Sequence, residues 1–333
     1  MLRDSWYVAC AASQLTDRPR AARILDQDLV VFRDGGGKPC ALLDRCCHRG
    51  VKLSLGKVTD GNIACVYHGW QYDGTGSCVK IPSLPDGSAV PRALGVPAFP
   101  CVEQDSYLWV WMGNARKEPP SDPPLIEDFD QYRWMQGSTP MACSATMLIE
   151  NQCDPVHPPF AHVGTHPVYF ASRMTDPKDY SYEVRATDSG MVVFIPTVDS
   201  LQDPIPSDYN LLVTPDPPTR VCIHQRFMKL DFFVLNHIIP TSANTCRMEW
   251  LMRGAKGPHS VKWVDKEPKI AEQDRILLES AQPAYDQNDD FEQSVPTDFI
   301  TMMVRQVVAL ANSGRWHEDR RKLPRRRVVQ IRS

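Results

Sequence analysis

The chain has 333 residues, 42% hydrophobic and 23% charged, with a formal net charge of −3. That length accommodates two buried cores, and the charge balance gives no reason to expect nucleic acid or an anionic membrane as partner. No apolar run approaches the roughly 18–20 residues of a membrane-spanning helix.

At the amino terminus, "MLRDSWYVACAASQL" pairs a short apolar run with an early acid, Asp4, which argues against a secretion signal. Eleven cysteines without such a signal suit reduced thiols and metal ligands better than disulfides, so cytoplasmic residence is expected. Up to residue 113, runs such as "LVVFRD" before "GGGK" and "ACVYHGWQYD" before "GTG" read as short strands punctuated by turns, an all-β domain over 1–113. Four prolines among charges in "NARKEPPSDPPLIED" suggest a semi-rigid linker, and 114–140 is assigned as linker and domain entry.

A mixed domain follows over 141–315, giving an α+β chain overall. "YSYEVRATDSGMVVFIPTV" reads as a hairpin turning at Asp188-Ser189-Gly190, and two runs flanking "TSAN" as further antiparallel strands. Helices are predicted over roughly 268–285 and through "TDFITMMVRQVVALANSG", the latter capped by Thr297 or Asp298 and stopped at Gly314. The proline-rich segment 196–218 is long for a loop and is read either as surface or as a lid. Residues 316–333 read as a solvated basic tail, with guidance of an acidic electron donor as the functional alternative.

Two short clusters carry the chemistry. "RCCHRG" and "CVYHGW" give Cys46-x-His48, sixteen intervening residues, then Cys65-x2-His68. Zinc modules usually bring sulfur as one pair and nitrogen as the other. Here each loop offers one thiolate and one imidazole, which suits a two-iron cluster with cysteines on one iron and histidines on the other. Gly50 and Gly69 follow the histidines and let both loops turn tightly. Cys47 is read as a non-ligand. The pattern resembles the Rieske [2Fe–2S] motif, departing from it at Cys47 and Val66, where proline is frequent.

The second cluster, "IENQCDPVHPPFAHVGTH", supplies Asp154, His157, His162 and His166. Two imidazoles and a carboxylate suit a non-haem Fe(II) centre that keeps positions open for oxygen. Asp154 and His157, three residues apart, would share a helix face, with Pro158 and Pro159 ending that helix. A further candidate carboxylate lies far along the chain. On the helix "PKIAEQDRILLESAQPAY", Ile270, Asp274, Leu277, Leu278 and Ala281 fall on one face, opposite Glu272, Arg275 and Glu279. An acid on an apolar stripe needs a cation, and iron would serve. Glu150 is the next acid to test.

The order of these motifs resembles the Rieske non-haem iron oxygenases. Carried over by residue, the resemblance implies a cluster on Cys46, His48, Cys65 and His68, and iron on His157 and His162. A D-x4-E context, Asp274 to Glu279, supports Asp274 as third ligand. Asp154 becomes a bridge to His68 of a neighbouring subunit, and His166 stays unassigned. The resemblance further implies a helix-grip catalytic domain, an external ferredoxin or flavin-dependent reductase, O2, a small organic, cyclic substrate, and a homotrimer. The short chain looks like the monooxygenase and demethylase branch, and in outline like tailoring hydroxylases of secondary metabolism. Two rivals stand beside it: a zinc-binding module on a ligand-binding domain, and a Rieske electron carrier without oxygenase activity.

Overall fold

The computed structural model describes residues 3–113, 119, 121–127, 129–163, 165, 179–186, 191–195, 211–215, 219–227, 230–253, 267–287, 292–319, 322–323 and 326–332. The chain divides into two compact units, residues 3–129 and residues 130 onward.

The first unit is built from three antiparallel sheets. β1 (Trp6–Ala11) pairs with β11 (Tyr107–Trp111), which pairs with β10 (Cys101–Gln104). β2 (Arg20–Ile24), β3 (Gln27–Arg33), β4 (Pro39–Leu43) and β9 (Ala98–Phe99) form the second sheet in that order. β5 (Lys57–Thr59), β6 (Asn62–Ala64), β7 (Gln71–Tyr72) and β8 (Cys78–Lys80), all short, form the third. Val30, Phe32, Leu42, Ile63 and Tyr72, mostly β-branched or aromatic, fill the core, and Cys46 and Cys65 belong to the same buried cluster. The described part of the proline-rich segment packs onto this unit. Ser121 O accepts from Trp6 Nε1 at 2.8 Å, Pro123 O accepts from Gln104 Nε2 at 3.2 Å, and Ile126 is buried. Those contacts extend the unit to Phe129, beyond residue 113, where the strand pattern stops.

The second unit is one eight-stranded antiparallel sheet with helices against it. Its strands are β12 (Trp134–Met141), β13 (Asp179–Ala186), β14 (Met191–Ile195), β15 (Leu211–Pro215), β16 (Arg220–Phe227), β17 (Leu230–Pro240), β18 (Cys246–Arg253) and β19 (Arg326–Arg332). Their spatial order is β12-β18-β17-β16-β15-β14-β13-β19. β13 and β14 form the expected hairpin, whose turn lies outside the described residues. The run from 220 to 240 is two paired strands rather than one.

Against the sheet lie α1 (Ala145–Cys153), α2 (Pro158–Ala161), α3 (Glu267–Gln287) and α4 (Phe299–Asn312), with a short α5 (Trp316–Asp319) after them. α4 buries Ile300, Met303, Val304, Val307, Val308 and Ala311, the spacing of one helical face. Asp298 occupies its N-cap position, but its carboxylate accepts from Val295 N at 2.8 Å. No described helix is long and apolar enough to cross a membrane.

Two sequence readings are corrected here. Residues 316–333 are not a solvated tail throughout, because β19 pairs with β13 from Asp179↔Arg332 to Arg185↔Arg326 and buries Val329 and Ile331. The alternation of "RVVQIR" outweighs its basic composition, and the charges suit an edge strand. The buried stripe of α3 is Ala271, Asp274 and Gln282, while Leu277 is 47% exposed. The helix is rotated from the predicted face, so that Asp274 and Gln282 turn inward with Ala271 and part of Leu278 while Leu277 turns out.

Candidate metal centres

Each cysteine of the first cluster opens an equivalent turn. The loop after β4 closes with Gly50 N→Cys46 O at 2.9 Å and Cys46 N→Val51 O at 2.8 Å. The loop after β6 repeats it with Gly69 N→Cys65 O at 2.9 Å and Cys65 N→Trp70 O at 2.8 Å. Gly50 and Gly69 sit at φ +76° and +71°, the left-handed region that closes such turns cheaply only for glycine. Buried Asp44 pins the first loop, accepting from Ser54 N at 2.7 Å and Ser54 Oγ at 2.6 Å.

These turns bring the four residues around one small cavity, with Arg49, Val51, Tyr67 and Trp70. The His48 and His68 rings lie 4.7 Å apart, and His48 stacks on Trp70 at 4.5 Å and 5°. The Cys46 and Cys65 thiols are buried, and burial holds Cys65 above the ordinary thiol pKa, so thiolates here call for a cationic partner. His48 Nδ1 is buried without a hydrogen-bond partner, the mark of an atom that serves as a ligand. Desolvation first, then His68 and Arg49, lowers the pKa of His48 and keeps the ring neutral for that role. These residues fit a two-iron cluster.

Tyr72 is a functional residue the sequence reading missed. Its hydroxyl lies 3.0 Å from Cys46 Sγ and 3.3 Å from Cys47 Sγ. Burial pushes the phenol pKa up, so it remains a donor to a thiolate, a contact that raises a cluster's potential. Cys47 itself is exposed. Only the folded register of β7 beside the first loop reveals this contact.

The second centre lies in the other unit. α1, capped by Ser144, ends before Asp154, which is extended at φ −79° and ψ 116°. Asp154 and His157 therefore do not share a helix. Pro158 opens α2 instead of ending α1, because a missing N–H costs nothing at a first helical position. Asp154 still reaches its neighbour: Oδ2 lies 3.5 Å from His157 Nδ1, and Oδ1 accepts from Val156 N at 2.8 Å. His162 closes α2, and its Nδ1 lies 3.1 Å from Gln273 Oε1, which Thr165 Oγ1 also reaches at 2.8 Å.

α3 delivers the carboxylate. Asp274 Oδ1 is 3.2 Å from His162 Nε2 and 3.6 Å from His157 Nε2. One donor atom from each of the three lies within 4.8 Å of the others, the one such group among the described residues. Three ligands at about 2.1 Å from an ion and at right angles would be about 3.0 Å apart, so the triangle suits a single ion. Asp274 and His162 are both 2% exposed. Among the described residues no lysine or arginine pairs with Asp274, whose oxygens meet neutral amides and the two imidazoles, a set that suits a bound cation. Glu150 is engaged elsewhere, gripped by Arg305 at 2.9 and 3.0 Å. His166 and segment 196–210 lie outside the described residues.

Residues 5–100 match the family of the Rieske [2Fe-2S] domain, and 94–96% of the chain superposes on solved structures of dicamba monooxygenase and of NdmA, whose fold it shares. One such structure, Pseudomonas putida CBB5 NdmA with caffeine, aligns at a TM-score of 0.76 and 21% identity, covering 96% of this chain and 94% of that one. Among curated proteins, the chain is 36% identical over 166 residues to the oxygenase component of dicamba O-demethylase from Stenotrophomonas maltophilia, 48% of each chain. It is 35% identical over 193 residues to the chloroplastic protein TIC 55 of Pisum sativum, 56% of this chain and 34% of that one. These matches span about half or less of the relatives' own length. The resemblance read from the motifs, the fold class and the pair of cofactors, a [2Fe–2S] cluster and a mononuclear iron, are thereby supported.

Proposed function

We propose that the protein is the terminal oxygenase of a Rieske non-haem iron system that hydroxylates, or oxidatively demethylates, a small cyclic organic substrate. The observation that carries this reading is the triad of His157, His162 and Asp274 in the second unit, its last two members buried. When bound, the cluster supplies single electrons and the mononuclear iron supplies oxygen activation. The chain's own groups orient the ligands. Gln273 Oε1 accepts the Nδ1 proton of His162 and turns its Nε2 lone pair to the site. Asp154 Oδ2 faces His157 Nδ1 and favours the same tautomer.

Asp154 also lines an open cavity of about 710 Å³ with Asn151, Glu292 and Arg305, which leaves it approachable from outside. On that basis Asp154 links His157 to His68 of the partner subunit, and the working form is a homotrimer. The named relatives, which act on or bind dicamba and caffeine, support a small cyclic substrate. The label "oxygenase component" on relatives supports an external ferredoxin or flavin-dependent reductase. Eleven unbridged cysteines suit a reducing compartment, and the cytoplasm is proposed.

The rivals are less favoured. The match to a [2Fe-2S] family over 5–100 disfavours zinc, and a bare electron carrier has no use for the second triad. The test is product analysis with aryl methyl ethers and N-methylated purines, with reductase and O2 supplied. Formaldehyde or hydroxylated product from the parent, and none from His162→Ala with its cluster spectrum intact, is expected. Turnover undiminished in His162→Ala would overturn the assignment.

A further inference from the structure

Two amides on adjacent positions of α1 divide the oxygens of Asp274 between them. Asn151 Nδ2 donates to Oδ1 at 3.2 Å, on the side where both imidazoles lie. Gln152 Nε2 donates to Oδ2 at 3.2 Å, and with its second hydrogen to Asn151 Oδ1 at 2.9 Å. The Gln152 carbonyl is held in turn, because Oε1 accepts from Asn236 Nδ2 at 2.7 Å. Asn236 stands on β17 and is 1% exposed. Exchanging the oxygen and nitrogen of Gln152 would set acceptor against acceptor at Asp274 and Asn151, and donor against donor at Asn236. All three contacts therefore fix one orientation of the amide.

We infer that Gln152, anchored by Asn236, is a positioning residue that occupies Oδ2 of Asp274, so that the carboxylate offers a metal ion Oδ1 alone. The inference rests on the assignment of the iron to His157, His162 and Asp274. A carboxylate freed from this donor can swing and present both oxygens, filling a position that oxygen or substrate would otherwise take. Outer-shell partners of this kind typically set metal affinity by about 10–100-fold. The chain thus tunes the open side of the site from the sheet, through a three-residue relay of amides, with no contact between Asn236 and the ion.

The probe is Co(II), added to full-length protein whose mononuclear site has been emptied by chelation and whose cluster remains in place. The oxidised cluster is silent in low-temperature EPR, so the cobalt signal reports its own ligands. The parent should bind one equivalent. Gln152→Met keeps the size and removes the donors, and should bind Co(II) about 10–100-fold more weakly, with an altered EPR anisotropy. Asn236→Leu leaves Gln152 in place but unanchored, and should move both readouts the same way by less. It also decides the matter should Gln152→Met fail to fold. Unchanged affinity and spectrum in whichever variants fold would overturn the inference. Equal cobalt binding by parent and His162→Ala would instead overturn the metal-site assignment beneath it.

Discussion

Replacing Arg305 by methionine isolates a buried charge on α1, the helix whose Asn151 and Gln152 contact Asp274. The guanidinium grips Glu150 at 2.9 and 3.0 Å and reaches Glu292 at 2.7 Å. Glu150 is 8% exposed, and burial holds its pKa above the ordinary glutamate value although Arg305 pulls it down. Removing one partner of a buried pair costs about 3–5 kcal/mol. The Arg305 side chain is 29% exposed, so solvent screening favours the lower end, about 3 kcal/mol. For a unit of this size that corresponds to a midpoint lowered by about 6–12 °C. The pH dependence has a definite sign. A carboxyl whose folded pKa is raised contributes stability below its unfolded pKa and loses it as pH rises through the folded value. Without Arg305 that folded value climbs further, so the deficit should shrink as pH falls from about 7.5 to about 5. Far-UV circular dichroism follows the unfolding, and cluster absorbance reports the other unit separately. Glu150→Leu combined with Arg305→Met leaves only the exposed Glu292 charged and should recover most of the loss. An Arg305→Met protein within about 1 kcal/mol of the parent at neutral pH would refute the reasoning, as would a double variant no better than the single.

Cys65→Ala should abolish the red-brown colour and about two equivalents each of iron and sulfide, checked by metal and sulfide analysis. Gly69→Ala forces a Cβ into the left-handed region, 3.0 Å from Pro82 Cγ, and should cost the first unit about 1–2 kcal/mol by denaturant titration of cluster absorbance. Asp154→Asn should keep both metals yet slow electron delivery in single-turnover kinetics, and mixed oligomers of Cys65→Ala and His162→Ala should regain turnover. His237 has its pKa lowered to about 3 by burial, then by Arg220, so its contribution is full above the unfolded value and falls away as pH drops toward 3. At about pH 5 that is about 2 kcal/mol, absent in His237→Gln when its pH–stability curve is compared with the parent's.

The residues proposed to hold the two metal centres were readable because chemistry restricts such ligands to short local spacings. Cys46, His48, Cys65 and His68 occupy two turns, and His157 and His162 flank one four-residue helix. Asp274 was reachable through helical periodicity and the D-x4-E context, and the periodicity found its burial but turned the helix toward Leu277. Pro158 was misread because a proline both ends one helix and begins another, and composition does not say which. Arg305 with Glu150, 155 residues apart, and Asn236 with Gln152, 84 apart, left no local trace. Such pairings are decided by the sheet order, which brings together segments that no periodicity links.

That sheet order also bears on biosynthesis. β13 gains its outer neighbour only from Arg326–Arg332, whose pairing spans Asp179↔Arg332 across more than half the second unit. While the ribosome is still making the intervening residues, β13 is a bare edge, with Tyr182 and Val184 lacking the cover of Val329 and Ile331. Loop-closure entropy opposes such a distant pairing until the rest of the sheet has formed. A nascent chain stalled or cleaved before residue 326 should therefore present a sticky strand to chaperones and to other nascent copies, and Val329→Asp should mimic that state in the full chain.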